Sequence, residues 1–482
     1  MRFIYMFMIF TVLHSQETYV KLHKVYSNNN TLNTDIYSHF NTSFSLNELD
    51  TFLKQKTKDL VEQGALFTTI HIDDILFFTK DSIPLIDLFL RVDETRQISL
   101  DTVLFVGNKQ TKARTLFRET RLLQNAIILP EQVAEARKWL EKSPYVRSVN
   151  GYEYIKKGKQ SGLLFYVEET DVFYINGILG YNPSSTSSKL SSDFEMDYKN
   201  IAGSGRSTSL KWKRIHTNNE DLELSYTEPW LFGSPITTEL NLKKMFRDSS
   251  FTTWNYHVDG KYALNTAFSI FVGYTYSKTT PVDSAKASQL SLPVNETTRS
   301  SFSIEYTTVS SPINPRRGLF TKLMFSAGKT TLLRPTWLLQ RFEKTDVSKS
   351  AIELDSRIYF EVAKNQVGVA SFFYNKEFGE HRLESEKIYF GGVKRLRGYR
   401  EFEFRSFELL LATVEYRFLL DDISRFYFFS DAAWFNSQKR FSFGLGVQFK
   451  TGLGIFSVSY GVPNIGGFSD GKIHFGIVSS LN

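Results

Sequence analysis

The tetrapeptide Leu396-Arg397-Gly398-Tyr399 combines side chains that can build an internal lock. A guanidinium carries five N–H donors in a planar fork and can serve two carboxylates at once. Glycine lets a backbone turn sharply or pack closely against another. Tyrosine adds a flat ring with a polar tip. The stretch lies in a long polar connection between amphipathic segments, which points to structural ion pairing rather than turnover. No enzyme signature competes with it. There is no Gly-x-Ser-x-Gly elbow, no His-Glu-x-x-His pair and no P-loop. The 8 His are scattered and there is no Cys, so neither a cofactor, a metal centre nor a disulfide is expected.

Something must hold such a loop, and the chain supplies two textures. Residues 171–482 read as strand after strand. Phe194, Met196 and Tyr198 interleave with Glu195, Asp197 and Lys199; Phe441, Phe443, Leu445, Val447 and Phe449 interleave with Ser442, Gly444, Gly446 and Gln448. One face is aromatic and aliphatic, the other polar or glycine. About 16 such strands can be placed, each close to the roughly 9–11 residues that cross a bilayer at a tilt. Connections after odd-numbered strands include long ones at 278–297, 330–349 and 377–405. Connections after even-numbered strands are mostly short, as at Gly203-Ser204-Gly205 and Lys364-Asn365. Long loops on one side and short turns on the other are the pattern of an outer-membrane barrel, with the turns in the periplasm. Composition agrees: 15% of residues are aromatic, including 43 Phe and 24 Tyr, yet the mean hydropathy is −0.25. After the first residues no run approaches ~18 consecutive apolar residues, so a membrane-spanning helix is not expected.

Residues 1–16 have the pattern of a signal peptide, with Arg2, an apolar run from Phe3 to Leu13 and a cut near Gln16. Residues 17 to about 170 mix helix and strand patterns. An amphipathic helix is predicted over Leu46–Gly64, followed by strands at 67–78 and 84–92. A complete β-α-α-β-β unit comes next: a strand Ile98–Val106, helices at 111–120 and from Pro130, and strands Tyr145–Tyr154 and Leu163–Glu169. Residues 17–40 are polar and Asn-rich and do not look like an N-terminal helix that would plug a pore. The net charge of +7 is spread along the chain, which argues against a nucleic-acid partner.

Several separate segments resemble the BamA/TamA superfamily of outer-membrane barrels with periplasmic POTRA domains (the bacterial surface antigen family). Leu396-Arg397-Gly398-Tyr399, in the sixth long-side loop, is similar to its Arg-Gly-(Phe/Tyr). Phe429-Ser430-Asp431-Ala432-Ala433 is similar to its Phe-x-Asp-x-Gly on strand thirteen. Tyr226-Thr227-Glu228-Pro229-Trp230 and Asn314-Pro315-Arg316-Arg317-Gly318 look like family turns. The resemblance implies a 16-stranded antiparallel transmembrane barrel over 171–482, a POTRA domain over 97–170 and a divergent POTRA-like region over 17–96.

The resemblance also places residues. Alternation puts Leu410, Ala412, Val414, Tyr416 and Phe418 on the outer face of strand twelve, so Glu415 and Arg417 point into the lumen. The motif match places Phe429, Asp431 and Ala433 inward on strand thirteen. Arg397, folded down from its loop, is then expected to meet Glu415 and Asp431, with Tyr399 stacked on the inner wall. Ala433 stands where the family prefers Gly, and Ser480-Leu481-Asn482 stands where many members end in an aromatic residue. The implied function is assembly or insertion of outer-membrane proteins in a Gram-negative bacterium, with the N-terminal region in the periplasm. Unfolded or partly folded outer-membrane proteins, outer-membrane lipids and periplasmic or lipoprotein accessory subunits are the implied partners. A seam between the first and last strands, near Phe173–Gly180 and Ile473–Ser480, would open; Gly177, Gly180 and Gly476 would weaken its pairing. The alternative is export of a dedicated partner protein through the lumen.

Overall fold

The fold is described from a computed structural model. It covers residues 19–480, except 63–64, 66–67, 94–99, 158–159, 182–189, 217–218, 248–249, 283–284, 286–291, 310, 312, 334–345, 381, 394, 452–453 and 466. The proposed signal peptide and Gly64 lie outside the described residues. The chain divides into two compact units, residues 1–109 with 116–168, and 110–115 with 169–482.

The first unit contains two modules with the same strand logic. One runs β1 (Tyr19–Ser27), α1 (Asn30–His39), β2 (Phe44–Ser45), α2 (Leu46–Glu62), β3 (Thr69–Lys80) and β4 (Ile83–Asp93). The other runs β5 (Thr102–Val106), α3 (Ala113–Thr120), α4 (Pro130–Lys142), β6 (Val146–Lys157) and β7 (Gln160–Glu169). In the first, β4 lies between β1 and β3 and runs parallel to β1. In the second, β7 lies between β5 and β6 and runs parallel to β5. The second module is therefore β-α-α-β-β, the first is the same with the short strand β2 added between its helices, and each sets its first strand beside its last.

Local chemistry explains the helices. Ser45 and Glu48 form a reciprocal capping box: Glu48 N donates to Ser45 Oγ at 3.3 Å and Ser45 N to Glu48 Oε2 at 2.8 Å. Val133, Ala136 and Leu140, spaced along one face of α4, are buried with Leu116, Leu163 and Phe165. Residues 19–39 are ordered in the same way. They form β1 and α1, because Asn29 caps the helix by accepting Leu32 N–H at 3.0 Å and Leu32 and Ile36 are buried in the module's own core. Of the strand expected over Ile98–Val106, Thr102–Val106 is formed, and Ile98 and Ser99 lie outside the described residues. Leu100 and Asp101 direct their amides to Ala126 O and Ser161 O instead.

The second unit is a closed antiparallel barrel. Its strands are β8 (Phe173–Tyr181), β9 (Leu190–Tyr198), β10 (Ser207–His216), β11 (Asn219–Glu228), β12 (Ile236–Arg247), β13 (Phe251–Ala263), β14 (Phe268–Pro281), β15 (Val294–Thr307), β16 (Gly318–Leu333), β17 (Asp346–Ala363) and β18 (Gln366–Phe378), then β21 (Glu408–Leu419), β22 (Arg425–Phe435), β23 (Gln438–Thr451), β24 (Gly454–Pro463) and β25 (Lys472–Ser480). That makes sixteen strands. Two short strands, β19 (Ile388–Phe390) and β20 (Phe404–Ser406), pair with each other inside the sixth long loop, where sequence patterning predicts only loop.

Alternation sorts the two faces. Val272, Phe325, Val414, Phe443 and Phe475 lie on the outer face and are exposed, as a lipid-facing band requires. Several strands run further than patterning predicts. Hydrogen-bonded pairs continue to Val294–Leu333 between β15 and β16, and to Thr331–Asp346 between β16 and β17. The long connections shrink accordingly. The added residues, among them Thr330, Thr331, Leu332, Leu333, Val347 and Lys349, include no aromatic and so lack the aromatic alternation that marks the bilayer span.

Candidate functional site: the loop-six lock

Loop six leaves β18 and returns to β21, and its tip folds onto the inner wall of the barrel. Arg397 is buried, at 9% exposure. Its Nη2 donates to Asp431 Oδ1 at 2.7 Å and its Nε to Asp431 Oδ2 at 2.9 Å. Its backbone N–H reaches the same Oδ2 at 2.9 Å. Nη1 donates to Glu415 Oε1 at 2.6 Å. Glu415 is shared, because Arg417 Nε and Nη2 both donate to its Oε2, at 2.8 and 2.6 Å. Thr413 Oγ1 donates to Asp431 Oδ1 at 2.9 Å. The guanidinium carbon also lies 3.7 Å from the centroid of the Phe429 ring, a stacked cation–π geometry.

Neighbouring strands make this cluster possible. β21 and β22 pair with Thr413 opposite Asp431 and Glu415 opposite Phe429. Inward positions on the two strands therefore form a compact patch of two acids, one hydroxyl and one ring. Each carboxylate finds donors, so charge is balanced where water is restricted.

Gly398 adopts φ +89°. A Cβ on it would lie 3.0 Å from Gly461 C and 3.2 Å from Ser442 Cβ. Leu396 and Tyr399 are buried in an apolar seat with Phe373, Phe390, Leu409, Leu411, Ala433 and Phe435. The Tyr399 hydroxyl donates to Asn464 Oδ1 at 2.8 Å and lies 3.2 Å from Phe441 O. Ala433 is fully buried in that seat; its methyl fills space beside the loop.

More of the barrel grips the loop than patterning alone reveals. Lys349 Nζ meets Glu386 Oε2 at 2.8 Å with both side chains nearly buried. Lys213 Nζ meets Glu401 Oε2 at 3.0 Å. The Arg247 guanidinium lies 4.7 Å from the Phe402 ring and 5.3 Å from that of Tyr389. Three strands along from β22, on β25, His474 Nε2 accepts the Gly398 N–H at 3.2 Å. Alternation alone turns Lys349, Gly461 and His474 inward, but nothing in their spacing pairs them with a loop.

The candidate seam glycines lie on the two strands of the proposed seam, Gly177 and Gly180 on β8 and Gly476 on β25. Gly177 is opposite Phe194 and Gly180 opposite Ser191, both across β8–β9. Gly476 is opposite Ser457 across β24–β25. The described register between β25 and β8 consists of Ser479–Ile175 and Ser480–Tyr174, and involves none of the three. Among the described residues, no group of three or more His, Cys, Asp or Glu could hold a metal ion.

Residues 200–479 match the Omp85 superfamily domain. Among curated proteins, the outer membrane protein assembly factor BamA of Buchnera aphidicola subsp. Acyrthosiphon pisum (strain APS) is 26% identical over 216 residues, 43% of this chain and 33% of that protein. The match thus spans about a third of that relative's length. Among solved structures, BamA from Haemophilus ducreyi lacking POTRA domains 1–3 superposes with a TM-score of 0.58 at 19% identity, covering 96% of this chain and all of that one. CdiB from Escherichia coli superposes with a TM-score of 0.59 at 11% identity, covering 97% of this chain and 92% of that one. At these identities the two structures share the fold.

Proposed function

Because this chain belongs to the Omp85 superfamily, we propose that it is an assembly and insertion factor for outer-membrane proteins of a Gram-negative bacterium. The two α+β modules are POTRA domains, over 17–96 and 97–170, and stand in the periplasm. They receive unfolded or partly folded clients by adding a client strand to an open sheet edge. Accessory periplasmic or lipoprotein subunits bind the same region.

The observation that carries this reading is the meeting of β8 and β25. Consecutive strands elsewhere in the barrel pair over seven or more residues, as in β24–β25. The described register between β25 and β8 covers two residue pairs. Backbone groups freed where these described pairs part would seek a new partner, and a client strand supplies one. Arg397 keeps loop six inside the lumen while this happens.

Export of a dedicated partner through the lumen is the competing reading, favoured by the fold shared with CdiB. Depletion of the protein followed by a census of outer-membrane proteins separates the two. Broad loss of barrel proteins supports assembly; loss of one secreted protein with the barrels intact supports export. The chain has no native Cys, so a disulfide between Ile175→Cys and Ser479→Cys tests the seam directly. Full assembly activity with that seam locked would sink lateral opening.

A further inference from the structure

Loop six touches the last strand of the barrel as well as the acids of β21 and β22. His474 lies on β25, buried and facing the lumen, between the outward Ile473 and Phe475. Its Nε2 accepts the Gly398 N–H at 3.2 Å. On β24, Gly461 gives the loop room to reach it. A Cβ at that position would lie 2.6 Å from Gly398 N and 2.8 Å from Gly398 Cα. β25 is also the strand that closes the barrel on β8 through the short ladder at Ser479 and Ser480. The tip of loop six and the seam therefore share one strand.

We infer that His474 is a positioning residue that latches loop six to the seam strand, so that β25 cannot swing away from β8 while it still holds the Gly398 backbone. This deepens the seam reading above and rests on it. By reciprocity, freeing the loop loosens the seam and parting the seam loosens the loop.

The latch has a chemical off-state. A neutral imidazole with its proton on Nδ1 presents Nε2 as an acceptor; an imidazolium has no acceptor left. The charged groups facing the ring are Arg397 and Glu401 of loop six, Asp431 of β22 and Lys213 of β10. Lys213 and Glu401 already form a pair at 3.0 Å, and Arg397 is engaged by Asp431. Protonation of His474 breaks the Gly398 bond, and acid releases the latch.

Spin labels on Ile175→Cys and Ser479→Cys in the full chain, reconstituted in lipid nanodiscs, measure the fraction of molecules with the seam parted. His474→Leu should raise that fraction on the order of fivefold, the shift expected for one lost neutral hydrogen bond. Arg397→Ala should also raise it, and His474→Leu should add nothing further once Arg397 is gone. His474→Gln keeps an acceptor and should stay near the starting value. In the unsubstituted background the parted fraction should rise as pH falls below the ordinary imidazole value of about 6.5, and His474→Gln should flatten that response. Simple addition of the Arg397→Ala and His474→Leu effects overturns the latch. So does a pH-flat seam with His474 in place, a measurement that needs no substitution at position 474. The readout contains no client protein, so failure of the assembly reading and failure of the latch are scored separately.

Discussion

Arg397 and Asp431 are joined by three hydrogen bonds, two from the guanidinium and one from the Arg397 backbone, all between 2.7 and 2.9 Å. One carboxylate thus fixes both the side chain and the main chain of the loop tip. A lysine could supply the charge but not the fork.

Removing this arginine should free the loop and leave the barrel standing. Arg397→Ala strands Asp431 in the lumen and leaves Glu415 to Arg417 alone, and breaking a buried pair from one side costs about 3–5 kcal/mol. The sixteen-stranded ladder does not depend on the loop. Heat-modifiable gel mobility should therefore be retained, while loop six becomes open to external protease and client assembly is lost. Arg397→Lys should recover little of the activity. Full activity in Arg397→Ala would falsify the lock.

The glycine contact makes a second prediction. Gly398→Ala places a methyl in a left-handed backbone conformation, which costs roughly 1–2 kcal/mol, and sets it 3.0 Å from Gly461 C. Gly461→Ala pushes from the opposite side, 2.6 Å from Gly398 N, with no left-handed strain of its own. Both should expose loop six to protease. Gly233→Ala serves as the control. Its φ is +82° but nothing lies within 4 Å of its Cβ, so it should carry the strain without undocking the loop.

Lys349 and Glu386 should act as an independent anchor for the first half of loop six. Their side chains are 1% and 10% exposed and meet at 2.8 Å. Glu386 Oε2 also accepts Leu383 N–H at 2.8 Å. Lys349→Ala leaves Glu386 buried without its cation, a loss of about 3–5 kcal/mol. Hydrogen exchange should quicken around residues 383–390 while the amides at Arg397 and Gly398 stay protected. Quickening at Arg397 as well would show that the two anchors act as one.

Alkaline pH should weaken the second module through Tyr154. Burial, with a smaller contribution from neighbouring Tyr152, pushes its hydroxyl up to about 12. The unfolded chain ionises nearer the ordinary value of about 10. Between those values the unfolded state has released the proton and the folded state still holds it. Stability is therefore fully present below about pH 10 and falls as pH rises toward 12. The ultraviolet difference spectrum between the native chain and Tyr154→Phe should titrate near the upper value, and Tyr154→Phe should flatten the alkaline loss. A difference spectrum that titrates near 10 would remove burial as the cause.

Much of this molecule is written in residue order alone. Period-two alternation needs only neighbours in sequence, so it set the barrel, its strand count and the outward and inward faces of Leu410–Phe418. Arg397, Gly398 and Tyr399 stood out because their types are unusual for a solvated loop. Partners were visible only where resemblance or alternation turned a side chain inward, as for Glu415 and Asp431. The tertiary structure decided what alternation leaves open. It brought Lys349, Gly461 and His474, which lie about 50 to 80 residues from the loop tip, against loop six. It also folded Asn30–His39 into a helix that local propensity does not favour, by burying Leu32 and Ile36. The reason is physical. Strand period and turn chemistry are local properties of the chain, whereas the register of a closed barrel and the depth to which a loop descends depend on contacts that exist only after the sheet has closed.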